Sequence, residues 1–139
     1  MKVVLDTNVL IAAFIARGVC SEVLGHCVRR HVLVTSEFIL NEFREHMVRK
    51  FRYSTEEVEA AVELLRSTMK VVKPADLGII VCRDPDDDTI LGTAVAGNAT
   101  CIVTGDMDLL VIRQFRGIDL VSPAEFADYE SAHLARRGE

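Results

Sequence analysis

The stretch Lys2-Val3-Val4-Leu5-Asp6, KVVLD, is a β-branched apolar run that stops on a carboxylate. A short continuous apolar run bounded by polar residues marks a strand covered on both faces, as in a parallel sheet. Its counterpart, Cys101-Ile102-Val103-Thr104-Gly105-Asp106, repeats the arrangement late in the chain. Three more short runs read as strands: His31 to Thr35, Lys70 to Val72 and Ile118 to Val121. Helical patterns separate them. Val9 to Ala16 forms one, broken by Gly18; Ser21 caps a second, with Val23, Leu24, Cys27 and Val28 facing inward. Ser36 caps a helix running to about Lys50. Ser54 to Glu57 is a capping box that opens a helix whose Val58, Ala61, Val62, Leu65 and Met69 form an apolar stripe, core or oligomer contact. Asp84-Pro85 starts a helix reaching about Ala96, and Ser122 to Glu125 caps a closing helix. Strands alternating with helices predict an α/β chain with three layers, helices on both faces of a mostly parallel sheet of about five short strands.

Composition bounds the rest. The 139 residues fit one domain, 1–139, and 50% hydrophobic with 27% charged residues excludes a disordered chain. The longest apolar run, Val9 to Ala16, is far short of the roughly 20 residues that cross a bilayer. The start does not read as a secretory signal, so the expectation is a soluble cytoplasmic protein with no membrane partner. Cys20, Cys27, Cys82 and Cys101 form no C-x-x-C pair and lie near no histidine pair, which points away from zinc and redox motifs. Cys20 and Cys27 are read as sharing the buried face of one helix. The formal net charge is −5, but its distribution is uneven. Basic residues gather at Arg29 to His31, at Arg44 to Arg52 and at Arg136-Arg137; acids gather at Asp84 to Asp88.

In α/β folds, ligands bind outside the carboxyl ends of the strands. Asp6 directly follows the first strand; Asp106, with Asp108 two residues on, directly follows the CIV strand. If those strands are neighbours, their carboxylates converge. The helix opened by Asp84 adds a third acid. Asp87 shares a face with Ile90, Leu91 and Ala94, the face toward the sheet, whereas Asp88 is its rival one residue round and Asp86 points outward. Glu42, among Ile39, Leu40 and Phe43, is the fourth, and a glutamate among apolar neighbours is costly unless paired. Such carboxylates cannot all ionise together without a cation, and an oxygen-only set suits Mg²⁺ or Mn²⁺. The chemistry this predicts is phosphodiester hydrolysis. Taken singly, Asp6 and Asp106 could be turn residues, and Asp84, Asp86 and Asp88 helix-start charges.

Together, VVLDTNVLIAAF, SEFILNEFREHM, DPDDDTILGTAVAGNATCIVTGDMDLL and VSPAEF resemble the PIN domain, in particular the VapC-like toxins of bacterial and archaeal toxin–antitoxin pairs. The resemblance spans nearly the whole chain. It implies a Mg²⁺- or Mn²⁺-dependent ribonuclease whose acids fall on Asp6, Glu42, Asp87 and Asp106. Asp108 matches a further acid, and Thr7, Asn8 and Thr104 match small polar residues beside the site. On that pattern Asp6, Asp87, Asp106 and Asp108 hold metal and Glu42 orients water. Thr7, Asn8, Thr104 and Asp88 support them, and Arg44, Arg49, Lys50 and Arg52 carry the RNA backbone. His46 faces the pocket or is a partly exposed polar residue. An antitoxin and a second copy of the chain, as a dimer, are the implied protein partners. An aspartyl-phosphate phosphatase also places an aspartate after the first strand, but needs an acid where Asn8 stands. A non-catalytic RNA-binding domain is the other alternative. A dinucleotide-binding site lacks its glycine motif.

Overall fold

Val3, Val4 and Leu5 are almost fully buried, and their strand, β1 (Lys2–Leu5), is the middle of the sheet. The computed structural model describes residues 1–138; Glu139, the last residue of the expected domain, lies outside them. The other strands are β2 (Val32–Thr35), β3 (Lys70–Val71), β4 (Cys101–Val103), β5 (Gln114–Phe115) and β6 (Ile118–Val121), in the order β3-β2-β1-β4-β6-β5. All neighbours are parallel except β5 and β6. The sheet has six strands rather than about five. The added β5 is a two-residue edge strand, too short to leave a pattern in sequence.

Among the described residues seven helices join and cover the strands: α1 (Thr7–Ile15), α2 (Val19–Arg30), α3 (Glu37–Arg49), α4 (Thr55–Thr68), α5 (Pro85–Ala96), α6 (Met107–Leu110) and α7 (Phe126–Arg136). From β1 the chain winds outward through α1 and α2 to β2, then through α3 and α4 to β3. It returns through α5 to β4, on the other side of β1. Right-handed crossovers running in opposite directions put α1–α4 on one face and α5 on the other. β1 and β4 are therefore neighbours at the point where strand order reverses, in register Val3↔Cys101, Val4↔Ile102, Leu5↔Val103. Among the described residues no single helix is long and apolar enough to cross a membrane.

Local chemistry explains most helix starts. Ser36 Oγ accepts from the Ile39 amide, and Ser54 and Glu57 exchange both capping-box bonds. Two caps differ from expectation. Helix α2 begins at Val19 with Gly18 as its cap, so Ser21 lies within the first turn and its hydroxyl bonds back to the Gly18 backbone. The Ser122–Glu125 bonds form, but they close a turn that precedes α7 instead of its first residues. The Val58–Met69 stripe is core: Val58, Val62, Leu65 and Met69 are buried within this chain. Burial pushes the Cys27, Cys82 and Cys101 thiols up to about 12, so these behave as small apolar groups. Cys20 is only partly buried.

Two contacts fix α5. The Thr93 hydroxyl lies 2.9 Å from Ser36 Oγ, tying α5 to the start of α3 inside the core. The Ala75 amide donates to the Gly92 carbonyl at 2.9 Å, and a Cβ on Gly92 would sit 2.5 Å from the Ala75 carbonyl oxygen. Gly92→Ala gains helix propensity worth up to about 1 kcal/mol but must displace backbone. The expected outcome is a net loss of about 1–3 kcal/mol, read from urea denaturation.

Candidate active site

The acids meet because of the β1–β4 pairing. The Asp6 amide donates to the Val103 carbonyl at 3.0 Å, carrying the ladder one residue past β1. Asp6 then caps α1, and its carboxylate, almost fully buried, accepts from the Thr7 amide and from Thr104 Oγ1, each at 2.7 Å. Thr104 Oγ1 also accepts from the Asp106 amide at 3.0 Å, so one hydroxyl joins the ends of both strands. Asp106 caps α6 through the Asp108 amide at 2.9 Å. From α3, packed beside α1, Glu42 reaches in, and Thr7 Oγ1 donates to it at 2.7 Å.

A cavity of about 270 Å³ opens between these groups, lined by Asp6, Thr7, Asn8, Glu42, His46, Asp84, Asp86, Asp87, Ile90 and Asp106. Asp87, Asp106 and Asp108 offer carboxylate oxygens that all lie within 4.8 Å of one another. Asp6 joins no such group among the described residues, because its oxygens are turned to Thr7 and Thr104. Asn8 is exposed at the rim, and His46 is half-buried on the wall.

Asp87 and Asp88 separate clearly. Asp87 lines the cavity. Asp88 turns back on its own chain and accepts the Val81 and Cys82 amides at 3.1 and 2.8 Å. Burial alone raises the Asp88 carboxyl, but those bonds hold it below its ordinary value. Its work is to fix the loop before α5. Asp86 is exposed, as its helix position suggests, but it also lines the cavity and raises Glu42 electrostatically. At a helix N-terminus the side chains tilt past the end of the backbone, so first-turn residues crown the axis whichever face they occupy. Asp84, the α5 cap, lines the cavity for the same reason.

The crowding is visible in protonation. Desolvation raises Asp6 and Glu42 above the ordinary carboxyl range against the bonds they accept. Asp87 is raised to about 7, by burial first and then by Asp106, Asp84, Asp6 and Asp108. Among the described residues the ion pairs include only one of the acids named here, Asp108, which binds the exposed Arg83 at 2.7 Å. Of the basic residues on α3 and after it, Arg44 is engaged by Glu59 and Asn41, bracing α3 against α4. Arg49, Lys50 and Arg52 are exposed.

A family model described as the PIN domain matches residues 2–108, a span from β1 to Asp108. The chain belongs to the PIN domain family. An uncharacterized protein of Methanocaldococcus jannaschii is 30% identical over 119 residues, covering 81% of this chain and 76% of that protein. The fold is similar to three solved structures. VapBC2 from Rickettsia felis, bound to a DNA fragment from the promoter, matches with TM-score 0.63 and 16% identity over 88% of this chain and 98% of that one. VapBC-1 from nontypeable Haemophilus influenzae matches at 0.60 and 19%, over 89% and 99%. DNA-bound VapBC from Salmonella typhimurium matches at 0.59 and 20%, over 88% and 98%.

In this PIN domain the cation-free acid cluster costs stability in a definite pH window. From about pH 4 to about pH 7, folded Asp87 keeps a proton that the unfolded chain has released. Stability therefore falls as pH rises through that range. Partial exposure screens the repulsion, so the penalty is about 1–2 kcal/mol. With EDTA present, Asp87→Asn is expected to stabilise the fold by that amount at pH 8 and hardly at all at pH 4, compared by urea denaturation.

Proposed function

We propose that this chain, as one domain over 1–139, is a Mg²⁺- or Mn²⁺-dependent endoribonuclease, the cytoplasmic toxin of a toxin–antitoxin pair. The observation that carries the reading is the cavity at the β1–β4 reversal, walled by Asp6, Glu42, Asp84, Asp86, Asp87 and Asp106. Its donors are carboxylates, of which Asp6, Glu42 and Asp87 are raised by burial and by neighbouring charge, and they fit a hard divalent cation. Asp87, Asp106 and Asp108 would hold the ion, with Asp6 behind them; Arg83 would have to leave Asp108 for that oxygen to serve. A divalent ion there would offset the negative charge and stabilise charge building on a phosphate during in-line displacement.

The chain's own groups supply the rest. Glu42, raised by burial and held by the bond from Thr7, would orient the attacking water and take its proton. Water oxygen bonds to phosphorus, the bond to the leaving sugar oxygen breaks, and that oxygen gains a proton from solvent. Thr104 and Thr7 hold Asp6 and Glu42 in orientation. From Glu42, α3 runs past His46 to Arg49 and Lys50, roughly 10 Å further along the axis. This exposed basic end suits an RNA backbone entering the cavity. The antitoxin is part of the same reading, supported by the likeness to VapBC structures, and a dimeric assembly is proposed with it on the family resemblance. An aspartyl-phosphate phosphatase fits less well, since Asp6 is buried with both oxygens engaged and Asn8 replaces the required acid.

Asp6→Asn is expected to lower Mn²⁺-dependent RNA hydrolysis at least about a hundredfold while circular dichroism stays native. Equal cleavage by both proteins, or a phosphoenzyme trapped on Asp6, would overturn the assignment. Arg49→Ala with Lys50→Ala should raise KM with little change in kcat. It should also flatten the salt dependence of single-stranded RNA binding by about 1.4 in log–log slope, twice the roughly 0.7 per phosphate contact.

A further inference from the structure

A second cluster of ligating side chains stands at the opposite edge of the sheet. His31 directly precedes β2 and ends α2, so it marks the amino edge, across the strands from the acids. Its Nε2 and the Nε2 of His26, one turn earlier on α2, both bond the same oxygen of Glu130 on α7. The His26 contact measures 2.7 Å. All three ligand atoms lie within 4.8 Å of one another. His31 is nearly buried, with its side chain 5% exposed, and Glu130 is 16% exposed; His26 opens to solvent. Phe126 fixes both rings edge-on, at centroid distances of 6.5 and 6.1 Å. Behind His31, Nδ1 lies 3.1 Å from the Met1 amine nitrogen. A cavity of about 200 Å³ adjoins the cluster, lined by His26, Glu130 and Glu22 among others.

We propose that His26, His31 and Glu130 form a second metal site, for a zinc-class divalent cation, that clamps α7 to α2. Two imidazoles and a carboxylate are a nitrogen-rich set that zinc accepts tetrahedrally, unlike the oxygen-only set at the carboxyl edge. The fourth position falls to water from the adjoining cavity. The clamp matters because α7 buries only Phe126 in the core. Tyr129 packs partly against the core, and the polar attachments of α7 include Tyr129 to Asp119 at 2.6 Å and Glu130 to the two histidines. Binding takes up the lone pair of each ring nitrogen and releases protons, so affinity falls toward acid pH.

The probe is Co²⁺ alone, added to the full metal-stripped chain in excess Mg²⁺. One equivalent giving the strong visible absorption of tetrahedral Co²⁺ is expected, displaced by Zn²⁺. Octahedral oxygen coordination at the acidic site gives only weak bands, so the two sites are told apart by spectrum. His26→Gln, at an exposed position, and Glu130→Gln should each remove the strong bands while circular dichroism stays native. Zn²⁺ at a hundred times its Kd should raise the wild-type Tm by about 8 °C and leave both variants unmoved. Absence of the bands in the wild type, or their persistence in both variants, overturns the proposal and leaves a plain hydrogen-bonded clasp.

Discussion

The β1–β4 pairing is the constraint from which the rest follows. It brings two strands that end in aspartate side by side at the one place where the sheet's winding reverses. The fold thereby forces anionic groups together. Two carboxylates about 5 Å apart repel by roughly 3 kcal/mol at an effective dielectric near 20. Fully burying a leucine or valine contributes about 1.5–3 kcal/mol. Leu5, Ile102 and Val103, on the strands that lead to the acids, and Leu91, one turn after Asp87 on α5, are all almost fully buried. A few such side chains offset each repulsive pair, and the strain stays at the edge rather than spreading into the core.

Hydroxyls manage the acids where cations would defeat them. Thr7 and Thr104 each donate to one carboxylate, and Thr93 and Ser36 join the helices that bear Asp87 and Glu42. A hydroxyl fixes orientation and satisfies a buried oxygen without cancelling its charge. Arginines lie further out, Arg44 with Glu59 and Arg66 with Glu37, where they join α3 to α4 on the surface. The exception, Arg83 on Asp108, is largely exposed and bound by an ion pair of the kind worth at most about 1 kcal/mol. The cavity thus keeps its negative potential while its walls are held rigid.

The strands and the converging acids were legible in sequence because each depends on short-range pattern. An apolar run ending on aspartate fixes both the strand and which edge its acid occupies. What escaped depends on contacts distant in sequence, or on helix ends. The choice of Asp87 over Asp88 agrees with the helix face, yet its cause is the loop at Val81 and Cys82, whose amides claim Asp88. Asp86 is exposed as a helical wheel suggests, yet it also reaches the cavity because it stands in a first turn. Arg44 carries no mark of Glu59, fifteen residues away on another helix. The histidine pair had no reading at all. Residues 26 and 31 acquire a meaning only when α7 brings Glu130 against them.

The polarity of a parallel sheet explains why two unlike clusters form on one small chain. Helices α1 and α5 begin at the carboxyl edge, so their partly positive N-termini face the acids and soften the repulsion. Helix α2 ends at the amino edge, where His31 is its C-cap, and a partly negative terminus favours positive charge. The backbone therefore biases the two edges toward opposite ligands before any side chain is considered. Carboxylates at one edge would suit a hard cation and, on the function proposed above, an anionic substrate. Imidazoles at the other select a softer cation that needs no substrate. The strands between keep the two apart, so either could be lost by substitution without dismantling the other.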